Sequence, residues 1–478
     1  MNYFLGIDLG TSYCKAGVFD ENGKLYGLGR HFVEKHTGNG TLSELSVVTF
    51  WKTLRLSVQD ALKESNISPG DISSLSFSSQ ANSFILLDKA DNPLTPIILW
   101  TDNRADELIE PLHILINRAD FITKTGLGIQ PGNQSLIAKI DWFQKKELQI
   151  WEKVKRIVSI SDYLTFSLTG HFVSDTSTSS MTGLLNISEG QWWEEAISLF
   201  QIEIKQLPEP QKMGIFIGYL TEKGATRIGL SQHTRLFSGG LDHHMVAIGS
   251  GVIRSSEISE STGTVLACVN YQKGYSPLKG VNIAQGPDHD HFFQMVFENN
   301  GAVALEWYQQ AYAAKSTIPE LLKLAAEIDP TCNGLIARPN VNNYSGLNGF
   351  VHITKEHRDA HFIRAILEST GVSLLELVKR LEGEYESKRI TSSGGGAKSR
   401  LWLQIKADML NKCFVVPETE ELACKGAAML CAVGTKCFSS LDEAIEKQIR
   451  SKETIYPDPK RSEIYREWYR MIKTIKYE

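Results

Sequence analysis

The sequence predicts an α/β protein in two halves, residues 1–250 and 251–478. Three observations predict it. Short apolar strands open the chain and flank a loop of glycine and hydroxyl residues. Amphipathic helical patterns alternate with further strands. A second strand, Gly/Thr loop and strand then begins near residue 255, a faint echo of the first rather than a sequence repeat.

Residues 3–7 read as the first strand and 14–19 as the second. Glu21-Asn22-Gly23 is a turn, because Asn-Gly readily supplies positive φ angles, and 25–32 returns as a third strand. The loop Asp8-Leu9-Gly10-Thr11-Ser12 therefore joins two paired strands, not a strand and a helix. Residues 43–65 read as a helix with Leu45, Val48, Leu56, Val58 and Leu62 on its apolar side. Strands are expected at 72–78, 84–87 and 97–100, with a turn at Asp91-Asn92-Pro93. Helical patterns follow at 104–118 and 134–150. The Ser/Thr-rich run 174–180 is short and flanked by apolar segments, so it reads as an ordered loop, and Trp192-Trp193 reads as a helix anchor. In the second half, 265–269 is a strand, 356–381 a long amphipathic helix, and Gly394-Gly395-Gly396-Ala397 precedes another helix.

Composition narrows the function classes. Of 478 residues, 42% are hydrophobic and 22% charged, an ordinary globular balance that excludes extended disorder and a disulfide mini-protein. A net charge of −5 gives no electrostatic basis for nonspecific nucleic-acid binding. No apolar run is long enough to span a bilayer. The first residues lack a basic segment before their apolar stretch, so a cytoplasmic protein is expected. The seven cysteines include no Cys-x-x-Cys pair and no histidine at zinc-ligand spacing, so buried free thiols are expected.

Four loops carry candidate chemistry. In Asp8-Leu9-Gly10-Thr11-Ser12, hydroxyls and backbone N–H groups suit phosphate oxygens and the acid suits a magnesium shell, although the same residues also suit a plain turn. Ser261-Thr262-Gly263-Thr264 repeats that chemistry. Gly394-Gly395-Gly396-Ala397 lets backbone approach a flat ligand at a helix start, or is a mobile loop. None is a P-loop, and none is a clean Gly-x-Gly-x-x-Gly after a strand. Gly239-Gly240-Leu241-Asp242-His243-His244 offers a carboxylate that can take a proton from a hydroxyl, or a turn aspartate. Its adjacent histidines, read in a strand, point to opposite faces and hold no metal.

Taken together, order and spacing resemble the FGGY family of carbohydrate kinases, within the actin-like ATPase superfamily, over nearly the whole chain. Gly6-Ile7-Asp8-Leu9-Gly10-Thr11-Ser12 resembles its first phosphate motif, and Leu99-Trp100-Thr101-Asp102-Asn103-Arg104 its Trp-x-Asp-x-Arg segment beside the sugar. Lys139-Ile140-Asp141-Trp142-Phe143 resembles the core of the family signature, with different residues before it. Asp162-Tyr163-Leu164 through Asp175 is similar to the xylulose kinase branch. Gly240-Leu241-Asp242, Ser261-Thr262-Gly263-Thr264, Gly394-Gly395-Gly396-Ala397-Lys398-Ser399 and Gly426-Ala427-Ala428 resemble the base, second phosphate, adenosine and small-residue helix segments.

The resemblance implies two ribonuclease-H-like domains flanking a deep interdomain cleft, with Mg-ATP in the cleft and the sugar mainly on the N-terminal side. It implies Asp242 as general base and Asp8 as the Mg²⁺ residue, through water. Gly10, Thr11, Ser12, Lys15, Gly263, Thr264, Gly395, Gly396, Ala397 and Arg400 would bind the nucleotide. Gln80, Ala81, Asn82, Trp100, Asp102, Asp242 and His243 would face the sugar, and a homodimer is the expected assembly. The implied reaction is ATP-dependent phosphorylation of a small open-chain sugar, a pentulose such as D-xylulose. Glycerol, ribulose, erythritol and gluconate are the alternative acceptors, and a non-kinase actin-like ATPase or a sugar sensor is the alternative of another class. Two departures bear on the acceptor. Ser79-Gln80-Ala81-Asn82-Ser83 has neither the Met-His-Gly usual in xylulose kinases nor the Arg-Glu of glycerol kinases, and His243 stands where those have Asn or Gln.

Overall fold

The computed structural model describes residues 2–38, 41–105, 109–263, 265–288, 290–338, 349–383 and 386–474. The chain folds into two compact units. The first is Met1–Gly251 with Gln272–Gln294 and Glu421–Ile449; the second is Val252–Tyr271, Met295–Glu420 and Arg450–Glu478.

In the first unit, β1 (Tyr3–Leu9), β2 (Tyr13–Asp20) and β3 (Leu25–Phe32) form the expected antiparallel meander, with Gly23 at φ 75° in its turn. Helix α1 (Val47–Ser65) starts where the Ser46 side chain accepts from the Thr49 N–H, and it is followed by β4 (Ile72–Ser79), parallel to β1. A second sheet holds β5 (Phe84–Leu87), β6 (Ile97–Ile98) and strands Leu42–Leu45 and Arg156–Ser159. Helix α2 (Leu136–Lys146) packs Ile137, Ala138, Ile140 and Phe143 into one core with Phe84, Leu86 and Ile98. Burial of each such large apolar side chain stabilises by roughly 1.5–3 kcal/mol. Next come α3 (Ile160–Thr169), β7 (Arg235–Phe237), β8 (Gly240–Leu241) and α4 (Asp242–Gly249). The first sheet runs Phe216–Tyr219, β7, β4, β1, β2, β3, with β8 also parallel to β4.

In the second unit the strand order is β11 (His291–Glu298), β10 (Leu266–Lys273), β9 (Glu257–Thr262), β12 (Arg389–Ser393), β13 (Cys413–Pro417), β14 (Ser451–Ile455). Its principal helices are α5 (Asp359–Glu382), α6 (Arg400–Leu410) and α7 (Pro459–Ile472).

Several local expectations change. The helix expected at 104–118 is Glu110–Ile116, begun by Pro111 in its first turn, and residues 106–108 lie outside the described residues. The strand expected at 97–100 stops at Ile98. The Ser/Thr run is not a loop: it ends a strand, Val173–Asp175, and then forms a helical turn, Thr176–Ser179, capped by the Asp175 carboxylate on the Thr178 N–H. His243 and His244 lie in the first turn of α4, not in a strand. Trp193 is the residue before helix Glu194–Leu199 and is buried, as expected of an anchor. All seven cysteines are free, with Cys413 and Cys437 partly exposed and the others buried. Among the described residues, no helix is long and apolar enough to cross a membrane.

Candidate functional site

Strand register assembles the acidic centre of the first unit. Asp8 on β1 lies opposite Lys15 on β2 and Ser78 on β4, and Ser78 in turn lies opposite Gly240 on β8. Two residues past Gly240, Asp242 heads α4, so three sheet neighbours bring Asp8 and Asp242 to one end of the sheet. Asp8 and Leu9 belong to β1 itself, and the loop proper begins at Gly10.

Asp8 Oδ1 accepts from Ser78 Oγ at 3.1 Å, and Oδ2 lies 3.8 Å from Lys15 Nζ. Lys15 Nζ also pairs with Glu421 at 2.7 Å. Burial pushes Asp8 up to about 6; Lys15 opposes that shift, and the charges of Asp242 and Glu421 add to it. Glu421 arrives because the helix Leu422–Gly434 packs backbone to backbone. A Cβ on Gly6 would sit 1.8 Å from the Cys424 carbonyl oxygen, and one on Gly426 2.1 Å from that of Met245. The small-residue segment thus has a steric cause.

Asp8 and Glu421 therefore share one lysine, and Asp242 acts on Asp8 as a further negative charge, an excess suited to a hydrated cation. Among the described residues, no group of three His, Cys, Asp or Glu could hold a metal alone. That donor set fits Mg²⁺, which keeps its waters and binds through one or two carboxylates plus substrate phosphates.

Asp242 is partly exposed, and its Oδ1 accepts from the His243 N–H at 2.7 Å. His244 is buried, stacks on Phe293 at 4.6 Å, and places Nδ1 2.8 Å from Ser177 Oγ. Ser177 Oγ also accepts from the Leu241 N–H at 3.0 Å, which ties the start of α4 to the Thr176–Ser179 turn. Burial pulls His244 down to about 3, so the imidazole is neutral and structural.

Of the residues expected to face a sugar, Gln80, Ala81 and Asn82 form the loop between β4 and β5, Trp100 is tied to that loop, Asp102 follows it, and Asp242 and His243 head α4. Gln80 is buried; its Oε1 accepts from Thr11 Oγ1 at 3.2 Å and Ser83 Oγ at 2.9 Å, and its Nε2 donates to the Leu9 carbonyl at 3.2 Å. Asn82, at φ 59°, accepts from the Leu136 N–H at 3.0 Å and donates to the Met181 carbonyl at 3.4 Å. Trp100 donates its indole N–H to Thr11 Oγ1 at 2.8 Å and its backbone N–H to Ser83 Oγ at 2.9 Å. Asp102 is fully buried, and its oxygens accept from Arg104 Nε at 2.7 Å and the Ser43 N–H at 2.7 Å. Arg104 also pairs with Glu44 at 2.6 Å. Ala81, Asn82, Trp100, Asp242 and His243 keep partly exposed surface, whereas the groups of Gln80 and Asp102 are spent on bracing.

In the second unit, Ser261 and Thr262 end β9, Gly263 follows, and Thr264 lies outside the described residues. Gly394 has φ 77°, a conformation that favours glycine, and a Cβ there would lie 2.8 Å from the Thr262 carbonyl oxygen. A Cβ on Gly396 would lie 2.7 Å from that of Thr262. The 3₁₀ turn Gly395–Lys398, which contains Ala397, leads into α6. Beneath them, fully buried Lys406 Nζ contacts Glu260 Oε1 at 2.5 Å and Thr262 Oγ1 at 2.7 Å. Glu260 also accepts from the Thr262 and Ser392 hydroxyls. Arg400, at the start of α6, is largely exposed and lies 3.3 Å from Glu453.

Sequence reasoning missed Ser78, Ser177, Glu260, Lys406 and Glu421 as parts of these sites. For Ser78 the period of β4 was a usable signal. For Glu421 and Lys406 none existed, because tertiary packing alone brings them in.

Residues 3–249 match the family model described as the FGGY family of carbohydrate kinases, N-terminal domain, and residues 273–435 match its C-terminal domain. The xylulose kinase of Staphylococcus epidermidis is 28% identical over 482 residues, covering 98% of this chain and 96% of that one. The gluconokinase of Bacillus subtilis is 28% identical over 468 residues, covering 92% and 89%. Among solved structures, the ligand-bound xylulose kinase from Lactobacillus acidophilus superposes with a TM-score of 0.88 at 24% identity, covering 98% and 97%. The glycerol kinase of Plasmodium falciparum with ADP superposes at 0.84 and 21% identity, covering 100% and 99%.

Proposed function

Because this chain belongs to the FGGY family of carbohydrate kinases and is an ATP-dependent sugar kinase, we propose that its acceptor is a neutral open-chain sugar, a pentulose such as D-xylulose. One observation carries the choice of a neutral acceptor. Among the described residues, Arg104 and Lys139 beside the acceptor loop are spent inside the protein: Arg104 on Asp102 and Glu44, Lys139 on backbone carbonyls. A sugar acid brings a carboxylate that needs a free cation or its equivalent. The gluconokinase relative motivates the second reading, a sugar acid.

In this reading the sugar hydroxyl gives its proton to Asp242 as its oxygen attacks the γ-phosphorus, and the phosphorus–oxygen bond to ADP breaks. The products are ADP and a sugar phosphate. Partial exposure suits Asp242 to this role, and the bond from the His243 N–H fixes its carboxylate. Trp100, Ala81, Asn82 and His243 border the acceptor, and Gln80 and Asp102 hold that border in shape. Gly10, Thr11, Ser12 and Lys15 serve the phosphates. Gly263, Thr264, Gly395, Gly396, Ala397 and Arg400 serve the nucleotide. Asp8 would hold Mg²⁺, and the bound ion would supply neutralisation of phosphate charge. Phosphoryl transfer depends on such positioning and charge stabilisation more than on covalent help.

Coupled ADP release over a panel of D-xylulose, L-xylulose, ribulose, erythritol, glycerol and gluconate tests this. The expected result is the highest kcat/KM on a pentulose. A higher value on gluconate would move the assignment to a sugar acid.

A further inference from the structure

Lys139 belongs to the signature segment, and the mechanism gives it no role. It lies in the first turns of α2, its side chain is fully buried, and its ammonium bonds to backbone rather than to a carboxylate. Nζ donates to the Asn82 carbonyl at 3.2 Å and to the Leu99 carbonyl at 2.9 Å. Those carbonyls belong to different loops. Asn82 closes the Gln80–Asn82 segment, and Leu99 immediately precedes Trp100.

We propose that Lys139 is a positioning residue for acceptor recognition, one whose side-chain nitrogen clamps the Asn82 and Leu99 loop ends at a fixed separation. The proposal rests on the reading that these loops border the sugar.

Three observations support it. First, the same two loops are cross-braced elsewhere by small polar groups, so their spacing is built rather than incidental. Ser83 Oγ accepts from the Trp100 N–H and donates to Gln80 Oε1, while Asn82 Oδ1 accepts from the Leu136 N–H, one turn before Lys139. Second, the Asn82 backbone sits at φ 59°, a left-handed turn conformation that asparagine tolerates, and the carbonyl of that turn residue is one of the two that Lys139 holds. Third, the buried Lys139 amine lies 6.0 Å from the Phe84 ring centroid, an apolar setting in which an amine is costly to desolvate unless its hydrogen bonds are kept. The charged groups facing Lys139 are Asp102 and Arg104, which already neutralise each other. Burial, assisted by Arg104 and opposed by Asp102, pulls Lys139 down to about 7. The neutral amine has two N–H groups for two carbonyls, so the clamp survives loss of the proton.

The test is K139M, with K139Q as the substitute if K139M does not fold. Hydrogen exchange without ligand is measured first, then steady-state kinetics on the acceptor that the wild-type enzyme turns over fastest. We expect faster exchange in peptides spanning 80–83 and 99–103, with no change over 394–397. We also expect an acceptor KM raised at least tenfold and an ATP KM within twofold of wild type. Unchanged exchange at both loops, exchange raised throughout the unit, or an ATP KM rising in step with the acceptor KM would each overturn the proposal. A wrong sugar class would show in the wild-type panel alone, and the exchange experiment is independent of it.

Discussion

Lys406 and Lys139 are both inaccessible to solvent, and the protein accommodates them in opposite ways. Lys406, beneath the Thr262–Gly263 turn of the second unit, has Glu260 as a counter-charge and hydroxyls from Thr262 and Ser392 completing that carboxylate. Lys139, behind the loops at Asn82 and Leu99, is held by two carbonyls in place of a counter-charge. An ion pair in low dielectric is rigid but fails badly if one partner is lost. A lone amine costs desolvation, loses its proton near neutrality, and leaves little net charge behind. The difference shows two ways of keeping an amine in a core: pairing its charge, or letting its proton go.

The comparison breaks first at Lys406. K406M leaves Glu260 buried and unpaired, and the expected loss in urea unfolding is roughly 3–5 kcal/mol. Replacing both residues, with E260L/K406M, recovers most of that stability but not the ATP KM. K139M removes the donor from one buried and one part-buried carbonyl and is expected to cost roughly 1–3 kcal/mol.

The pH dependence separates the two lysines further. Lys139 has a folded value near 7, below its ordinary 10.5, so the unfolded chain binds more protons between those values. Its penalty is complete below about 7 and is relieved as pH rises toward 10.5. Wild-type stability therefore gains over that window a contribution that K139M lacks, which matched denaturation curves at pH 7 and 9.5 would read.

Asp175 is the acidic counterpart, with burial and the neighbouring Asp162 pushing it up to about 7. Its contribution is present below the ordinary 3.8 and lost as pH rises through about 7. Since an amide oxygen can still cap Thr178, D175N should exceed wild type in melting temperature at pH 8 and lose that advantage at pH 4. The smallest effect is expected at the surface. R400A should change stability by no more than about 0.5 kcal/mol, because its partner Glu453 is also solvent-accessible, while the ATP KM rises a few-fold.

The sequence made the strand–loop–strand openings of both units legible, because apolar runs and Gly/Thr loops are local signals. Strands β3 and β5 have the expected limits, 25–32 and 84–87. The site motifs were legible as residue types but not as bonds. Nothing local reveals that the Gln80 amide is consumed by Thr11, Ser83 and the Leu9 carbonyl. The Ser/Thr run read as a loop because its propensities favour caps and turns. Its helical turn exists because Asp175 caps it and Ser177 locks it to α4. Glu421 meets Lys15 only after a helix far down the chain packs on Gly6, a contact no window of sequence contains.

The central claim is that Asp242 takes the acceptor's proton, and D242N tests it most directly. The substitution keeps the side chain's size and its bond from the His243 N–H, and removes the base. Sugar and ATP affinities, read by titration calorimetry, should stay within a few-fold, while single-turnover phosphoryl transfer falls by roughly 10²–10⁴. A D242N enzyme that transfers phosphate at the wild-type rate would contradict the account.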